Sequence, residues 1–327
     1  MTDYKARVAE FAQQYKQLGE QIGKVIVGQQ TVVRDLLRTI FADGHALIEG
    51  VPGLGKTLLV QTLGQVFALK TSRIQFTPDL MPTDILGTNM IVEDASGHKT
   101  FQFQKGPIFA QIILADEVNR ATPKTQSALL QAMQERQVSV AGTTYDLELP
   151  FFVIATQNPI EMEGTYPLPE AQVDRFLTKI FINYPQLAEL NKILEQTTGV
   201  AAPQAARVMD TQQILNAQRL AAEMPVPDHV REAIGKLILA THPESELAGD
   251  TVKKYIRFGA SPRGGQALMR TARVGALMDG RYSVSLDDVR EVMHICLRHR
   301  LLLSFEGEAE GVKTDDILAE VAKKVLK

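Results

Sequence analysis

The sequence predicts an α/β fold with a parallel sheet, interrupted by two β-hairpins and followed by a helical second part. Three observations carry this. A short apolar run at 45–49 leads into a glycine-rich turn and then a helix, which is how an α/β unit opens. The run Ile112-Ile113-Leu114-Ala115 is apolar on both faces, as a central parallel strand covered on both sides must be. Beyond Asn183-Tyr184-Pro185, strand signals become scarce while helical periodicity continues.

Taken in order, Phe11, Tyr15, Leu18 and Ile22 recur at helical spacing and open the chain with an amphipathic helix, for which Gly23 is a stop. A second helix is expected over 29–41. Leu59, Leu63 and Val66 mark the face of the helix after the glycine turn. Further strands are expected at 73–76, 111–115, 151–156 and 177–182, with a helix at 122–136 whose Pro123 suits a first helical position. Two segments read as β-ribbons: 85–104, turning at Asp94-Ala95-Ser96-Gly97, and 137–149, turning near Ala141-Gly142. After residue 184 helices are expected at 186–196, 210–223, 227–241, 262–278, 286–300 and 314–326. The chain thus divides into an α/β part, 1–184, and a helical part, 185–327.

Whole-chain quantities narrow the function. Of 327 residues, 45% are hydrophobic, enough for a sizeable core, and the net charge of -3 argues against a surface built to coat nucleic acid. The one cysteine, Cys296, excludes an internal disulfide and cysteine-rich zinc sites and fits a cytoplasmic protein. Residues 1–20 carry charges throughout, unlike a signal peptide, and no apolar run approaches the roughly 20 residues that span a bilayer.

Gly50-Val51-Pro52-Gly53-Leu54-Gly55-Lys56-Thr57 matches G-x-x-x-x-G-K-[ST] between a strand and a helix, where its mechanism requires it. Glycines let the backbone wrap closely so that N–H groups face phosphate oxygens, and the helix start adds its positive dipole end. In this pattern Pro52, Gly53, Leu54, Gly55, Lys56, Thr57 and Leu58 line the phosphates of ATP. Lys56 reaches the β and γ phosphates, and the Thr57 hydroxyl ligates Mg²⁺. Sixty positions after Lys56 the apolar strand ends in Asp116-Glu117. Asp116 is placed to hold the Mg²⁺ water shell and Glu117 to act as general base on the attacking water. By itself an acidic pair is more often a solvated loop.

Several motifs in order resemble the MoxR branch of the AAA+ ATPases: Val27-Gly28-Gln29, the segment 76–84 (FTPDLMPTD), Asp116-Glu117-Val118-Asn119-Arg120, Ala155-Thr156-Gln157-Asn158-Pro159, the segment 168–176 (LPEAQVDRF) and Ser261-Pro262-Arg263. The resemblance covers about residues 25 to 300, most of the chain. The resemblance implies an AAA+ domain with β-hairpin insertions and an all-helical lid, a homo-oligomeric ring of six subunits, and ATP hydrolysis between subunits. It implies chaperone-like work on protein clients, often beside proteins with a von Willebrand factor A domain. It also implies residue roles. Asn158 resembles the polar sensor that holds the attacking water, although Asn-Pro is also ordinary turn chemistry. Arg175 resembles an arginine finger aimed at the neighbouring subunit's γ-phosphate; its alternative is a surface ion pair with Asp174, worth at most about 1 kcal/mol. Arg263 resembles the second sensor, tying lid position to the γ-phosphate; its alternative is an arginine at a helix start that faces water. Val27, Gly28 and Gln29 are implied near the adenine, although a Val-Gly-Gln turn can equally be only a helix entry, and Arg120 is a second candidate for contact across the subunit boundary or for simple structural pairing. The hairpins are implied to face the pore or a partner.

Other patterns weigh less. Glu291-x-x-His294 has di-metal spacing but no second copy. The helical part holds many cations, among them Lys253, Lys254, Arg257, Arg270, Arg273, Arg298 and Arg300, yet no nucleic-acid module signature. A nucleotide-gated scaffold or DNA-acting ring is the alternative reading, and a small-molecule kinase a third.

Overall fold

The computed structural model of the protein describes residues 2–93, 99–159, 165–198 and 203–326. The first helix, α1 (Thr2–Val25), buries Val8, Phe11, Leu18 and Ile22. It does not stop at Gly23. A Cβ at Gly19 or Gly23 would meet nothing within 4 Å, so these glycines cost only helix propensity, up to about 1 kcal/mol each relative to alanine. The chain turns instead at Gly28 and Gln29, both left-handed (φ 65° and 54°), and α2 (Gln30–Phe41) follows.

The α/β part then runs β1 (Ala46–Glu49), α3 (Lys56–Phe67), β2 (Thr71–Gln75), α4 (Pro82–Leu86), β3 (Gly87–Glu93), β4 (Lys99–Lys105), β5 (Ile112–Asp116), α5 (Pro123–Glu135), β6 (Gln137–Val140), β7 (Thr143–Asp146), β8 (Phe152–Gln157), α6 (Glu170–Val173) and β9 (Thr178–Phe181). Five strands form one parallel sheet in the order β2-β5-β8-β1-β9. Alternation along each strand splits two apolar cores. Ala46, Ile48, Ile112, Leu114, Phe152 and Ile154 face one side; Leu47, Ile113, Ala115, Val153 and Ala155 face the other, against α5. Expected strand bounds shift by only one or two residues.

Both expected ribbons are present. β3 and β4 pair antiparallel from Gly87↔Lys105 to Glu93↔Lys99. The short α4 occupies residues 82–86, where the ribbon was expected to begin at 85, and the turn expected at Asp94-Ala95-Ser96-Gly97 lies outside the described residues. Gly87 is needed where α4 meets β3: its φ is 101°, and a Cβ there would fall 2.3 Å from the Gln104 carbonyl oxygen. β6 and β7 turn through Ala141 and Gly142, both at positive φ, the pairing a two-residue hairpin favours. Stacking of Phe103 on Tyr145 (centroids 4.2 Å apart) joins the two ribbons.

The remaining helices are α7 (Leu187–Thr197), α8 (Thr211–Glu223), α9 (Asp228–Ala240), α10 (Asp250–Tyr255), α11 (Pro262–Met278), α12 (Leu286–Leu297), α13 (Phe305–Ala309) and α14 (Thr314–Val325). Reciprocal caps start two of them: Asp210 with Gln213 and Ser285 with Asp288. The sequence reading missed the short α10 and α13 and a small antiparallel ribbon of β10 (Ile256–Phe258) with β11 (Leu302–Leu303), elements too brief to show a period. It also ran α12 to 300, whereas the helix ends at Leu297 and residues 298–300 turn toward β9. The apolar core on the α1–α3 face of the sheet continues without a break into α8, α9, α11, α12 and α14.

His45, at the start of β1, sits fully inside. Its Nδ1 accepts the Val153 N–H at 3.1 Å and its Nε2 faces the Met133 carbonyl at 3.1 Å, which fixes a neutral ring. Burial drives its pKa from 6.5 to about 4. The unfolded chain takes this proton below pH 6.5 while the fold refuses it until about pH 4. The associated stability is therefore complete above pH 6.5 and lost as pH falls toward 4, about 3 kcal/mol in all. Denaturant unfolding across that range is expected to show this slope, and His45→Gln is expected to flatten it.

Candidate functional site

Loop 50–55 leaves the carboxyl end of β1, where open α/β sheets bind ligands. Gly53 and Gly55 are left-handed (φ 85° and 74°), and a Cβ at either would meet nothing within 4 Å, so the outer side of the loop is open. Leu54 is buried and anchors the loop, and the Gln29 side-chain amide donates to its carbonyl at 3.1 Å. Pro52 and Leu58 are exposed. Lys56 and Thr57 form the first turn of α3, whose leading N–H groups have no partner within the helix. Lys56 Nζ donates to the Gly50 carbonyl at 2.7 Å. Partial burial lowers its pKa, while Asp116 and Glu117 oppose that shift, which places the ammonium within their field.

The acidic pair ends β5 on the same edge. Glu117 is held at φ 56°, an uncommon left-handed position for a residue with a side chain. Thr156, one strand over on β8, fixes both residues: its hydroxyl donates to Asp116 Oδ1 at 2.6 Å and accepts the Glu117 N–H at 2.9 Å. Arg73 pairs with Asp116 Oδ2 at 2.7 Å. Gln75 Nε2 and Arg120 Nη1 donate to Glu117 Oε2 at 2.7 and 2.9 Å. Asn158 is buried just past β8, and the Gly50 N–H bonds the preceding Gln157 carbonyl at 3.3 Å. Val27 and Gly28 line a cavity of about 430 Å³ bounded by α1, α2 and Lys192. Gly28 is held at φ 65°, where any residue with a side chain is strained, and a Cβ there would also push on the Glu189 carboxylate, 2.5 Å away at the end of a flexible side chain.

The two remaining arginines lie elsewhere. Arg175 precedes β9, and the Leu177 N–H bonds the His45 carbonyl at 2.9 Å, so Arg175 belongs to the amino edge of the sheet. It lines a cavity of about 260 Å³ with Arg136, Arg263, Arg270 and Arg300, offset by Asp43 and Asp174. At about 3.3 Å per residue, the five-residue step from His45 to Gly50 separates the edges by about 16 Å. The structure thus brings Lys56, Thr57, Asp116, Glu117 and Asn158 together at one edge, and Arg175 and Arg263 together at the other. In this arrangement Arg263 pairs with Asp174 at the amino edge and does not stand beside its own chain's loop 50–55. Asp174 pairs with Arg300 (2.8 Å) and Arg263 (3.4 Å), both borne by the helical part.

Sequence reasoning missed Thr156, Gln75, Arg73 and Arg300 as organisers of these groups. Thr156 and Arg300 owe their roles to strand order and to the turn after α12, neither of which residue spacing encodes. Gln75 and Arg73 carry an alternation signal on β2, but only the β2–β5 pairing says that they face the acidic pair. Glu291 and His294 are taken up separately, by Arg34 and Arg38 and by Asp315, and among the described residues no three metal-ligating groups converge.

At the carboxyl edge, Thr57 and Asp116 suit Mg²⁺, which is held by one or two carboxylates plus substrate phosphates rather than an all-protein cage. An open glycine cradle, a lysine beside it and a largely buried carboxylate at the strand end fit a nucleoside triphosphate with its cation. Bound there, the cation would supply charge neutralisation and orientation of the phosphates.

Comparison with known proteins agrees. Residues 45–178 match the ATPase family associated with various cellular activities (AAA), and residues 249–321 match the AAA lid domain. Chaperone MoxR1 of Mycobacterium tuberculosis is 43% identical over 305 residues, covering 93% of this chain and 80% of that protein. Protein MoxR of Methylorubrum extorquens is 30% identical over 319 residues, covering 93% and 90%. A crystal structure of a candidate ATPase from Cytophaga hutchinsonii superposes with a TM-score of 0.93 at 39% identity over 99% of this chain and 98% of that one. A parallel α/β sheet with ribbon insertions, a helical lid and relatives of this identity over nearly their whole length establish that the chain belongs to the MoxR family of AAA+ ATPases.

Proposed function

We propose that this protein is a Mg²⁺-dependent ATPase whose sites are completed between the subunits of a homo-oligomeric ring, hexameric by family resemblance, and that it remodels or matures protein complexes in the cytoplasm. The observation that carries the reading is the division of the machinery between opposite sheet edges. One edge offers a phosphate cradle, a cation carboxylate and a base. The other edge, about 16 Å along the strands, offers exposed Arg175 and Arg263, which in this reading serve another chain's nucleotide. In this reading residues 1–184 hold the nucleotide and 185–327 act as the lid. Loop 50–58 binds the phosphates, Lys56 the β and γ groups, and Thr57 with Asp116 the cation. Val27 and Gly28 border the base. Glu117 takes a proton from water that Asn158 orients, and Arg175 and Arg263 of the next subunit stabilise charge on the γ-phosphate.

A chaperone role draws on the name of the mycobacterial relative and on the first ribbon. Ile91 and Phe101 oppose each other there and are 62% and 76% exposed, an apolar pair suited to a protein client, a von Willebrand factor A domain protein being one candidate. Nucleic acid is the weaker partner. Arg263, Arg270, Arg298 and Arg300 of the lid are engaged with Asp174, Asp43 and Asp315 rather than arrayed as a stripe.

The test is ATP turnover per subunit against protein concentration with Mg²⁺ present, beside a Lys56→Ala control. A steep rise to a plateau is expected, with no turnover in the control. Flat, substantial turnover down to concentrations where the protein is monomeric would rule out a shared site.

A further inference from the structure

We infer that Asp174 and Arg300 are positioning residues for Arg175, and that through them the helical half sets where the arginine points. The inference rests on Arg175 acting on a neighbour, as proposed above. The Arg175 side chain has little hold of its own: it is exposed, and its one described side-chain hydrogen bond, to the Leu130 carbonyl, is long at 3.4 Å. Its direction is therefore set by its backbone, and that backbone is gripped from the end of α12. The Arg300 side chain is 3% exposed. Its Nε donates to Asp174 Oδ1 at 2.8 Å, and its Nη2 to the carbonyls of Asp174 and Phe176 at 3.1 and 2.8 Å. Its Nη1 donates to the Leu177 carbonyl at 3.2 Å. His299 adds a second bond to the Phe176 carbonyl at 3.1 Å. One guanidinium thus fixes residues on both sides of position 175.

The same carboxylate receives the start of α11. Ser261 Oγ lies 3.2 Å and Arg263 Nη1 3.4 Å from Asp174 Oδ2. Arg300 is the fixed anchor, inside, with four acceptors on residues 174–177 and a fifth in the Cys296 carbonyl. Arg263 is the exchangeable partner, at a loose distance and 52% exposed, free to trade Asp174 for a phosphate of the adjoining subunit. The start of α11 and the end of α12 meet at the residue before Arg175, so lid movement and arginine movement are linked at Asp174. A salt bridge needed only for folding would not require that convergence.

Subunit mixing separates positioning from folding. Asp174→Asn is expected to bind a fluorescent ATP analogue as the parent does and to lose turnover on the order of 10- to 100-fold, the scale set by about 1 Å of misplacement. Mixed with Lys56→Ala subunits, whose Arg175 is intact, its own phosphate loops face a correctly placed arginine. Turnover is expected to recover as far as in the matched Arg175→Ala plus Lys56→Ala mixture. Arg300→Lys, which keeps the charge and loses the fork, is expected to behave alike and decides the matter if Asp174→Asn does not fold. Parent-like turnover, or a loss that persists in the mixture while the Arg175→Ala mixture recovers, overturns the inference. If the Arg175→Ala mixture itself fails to recover, action on a neighbour is wrong and this inference falls with it.

Discussion

Arg175→Ala is expected to lower ATP turnover by about 10³-fold or more while leaving nucleotide affinity and assembly close to the parent's, since arginines that meet a phosphoryl group in its transition state are worth roughly 10³ to 10⁵ in rate. The direction follows from placement. The side chain is exposed at the amino edge of the sheet and takes no part in the described ion pairs. Its removal opens no cavity and strands no buried charge. A purely structural arginine there would contribute at most about 1 kcal/mol, visible as a small shift in unfolding and no defect in turnover. Arg175→Lys retains charge without the planar fork and is expected to remain impaired. Single-turnover and steady-state hydrolysis, with analogue binding measured on the same preparations, check this. Parent-like turnover in Arg175→Ala would remove the residue from the reaction.

Much of the α/β part was legible because its signals are local. Doubly apolar strands such as Ile112-Ile113-Leu114-Ala115, the glycine loop before Lys56 and the Ala141-Gly142 turn each declare themselves within a few residues. The helix through Gly23 was misread for the opposite reason: a glycine in an open stretch of helix is a mild cost that packing of Phe11, Leu18 and Ile22 overrides. Likewise β10 and β11 are strands only because the tertiary fold lays residues 256–258 beside 302–303.

The candidate site divides the same way. Lys56, Thr57, Asp116 and Glu117 stand in motifs that carry their own chemistry. The groups that orient them do not. Thr156 reaches Asp116 because β8 lies beside β5, and Arg300 reaches Asp174 from 126 residues away because α12 unwinds after Leu297. Arg263 is the most instructive case. Its motif pointed to a γ-phosphate, but which chain's phosphate depends on where α11 docks, and α11 docks against the edge that holds Arg175.

Glu117→Gln is expected to separate binding from chemistry. The amide fills the same space, so the Gln75 and Arg120 side chains keep a carbonyl oxygen to donate to, and Thr156 still accepts the backbone N–H of residue 117. Loop 50–55 and Lys56 are untouched, so the phosphates still dock. On the proposed assignment, what is lost is the group that takes the proton from water, a contribution of about 10²- to 10⁴-fold. ATP is therefore expected to bind at parent affinity and to remain uncleaved, and the variant is expected to accumulate in its ATP-bound assembled form. Lys56→Ala, by contrast, removes the cation that meets the phosphates and is expected to weaken binding itself. Equilibrium binding of ATP and hydrolysis of the bound nucleotide, measured on both variants, distinguish the two roles. Equal loss of binding in Glu117→Gln and Lys56→Ala would mean that Glu117 serves the cradle, and the base would then have to be sought in another residue at the carboxyl edge of the sheet.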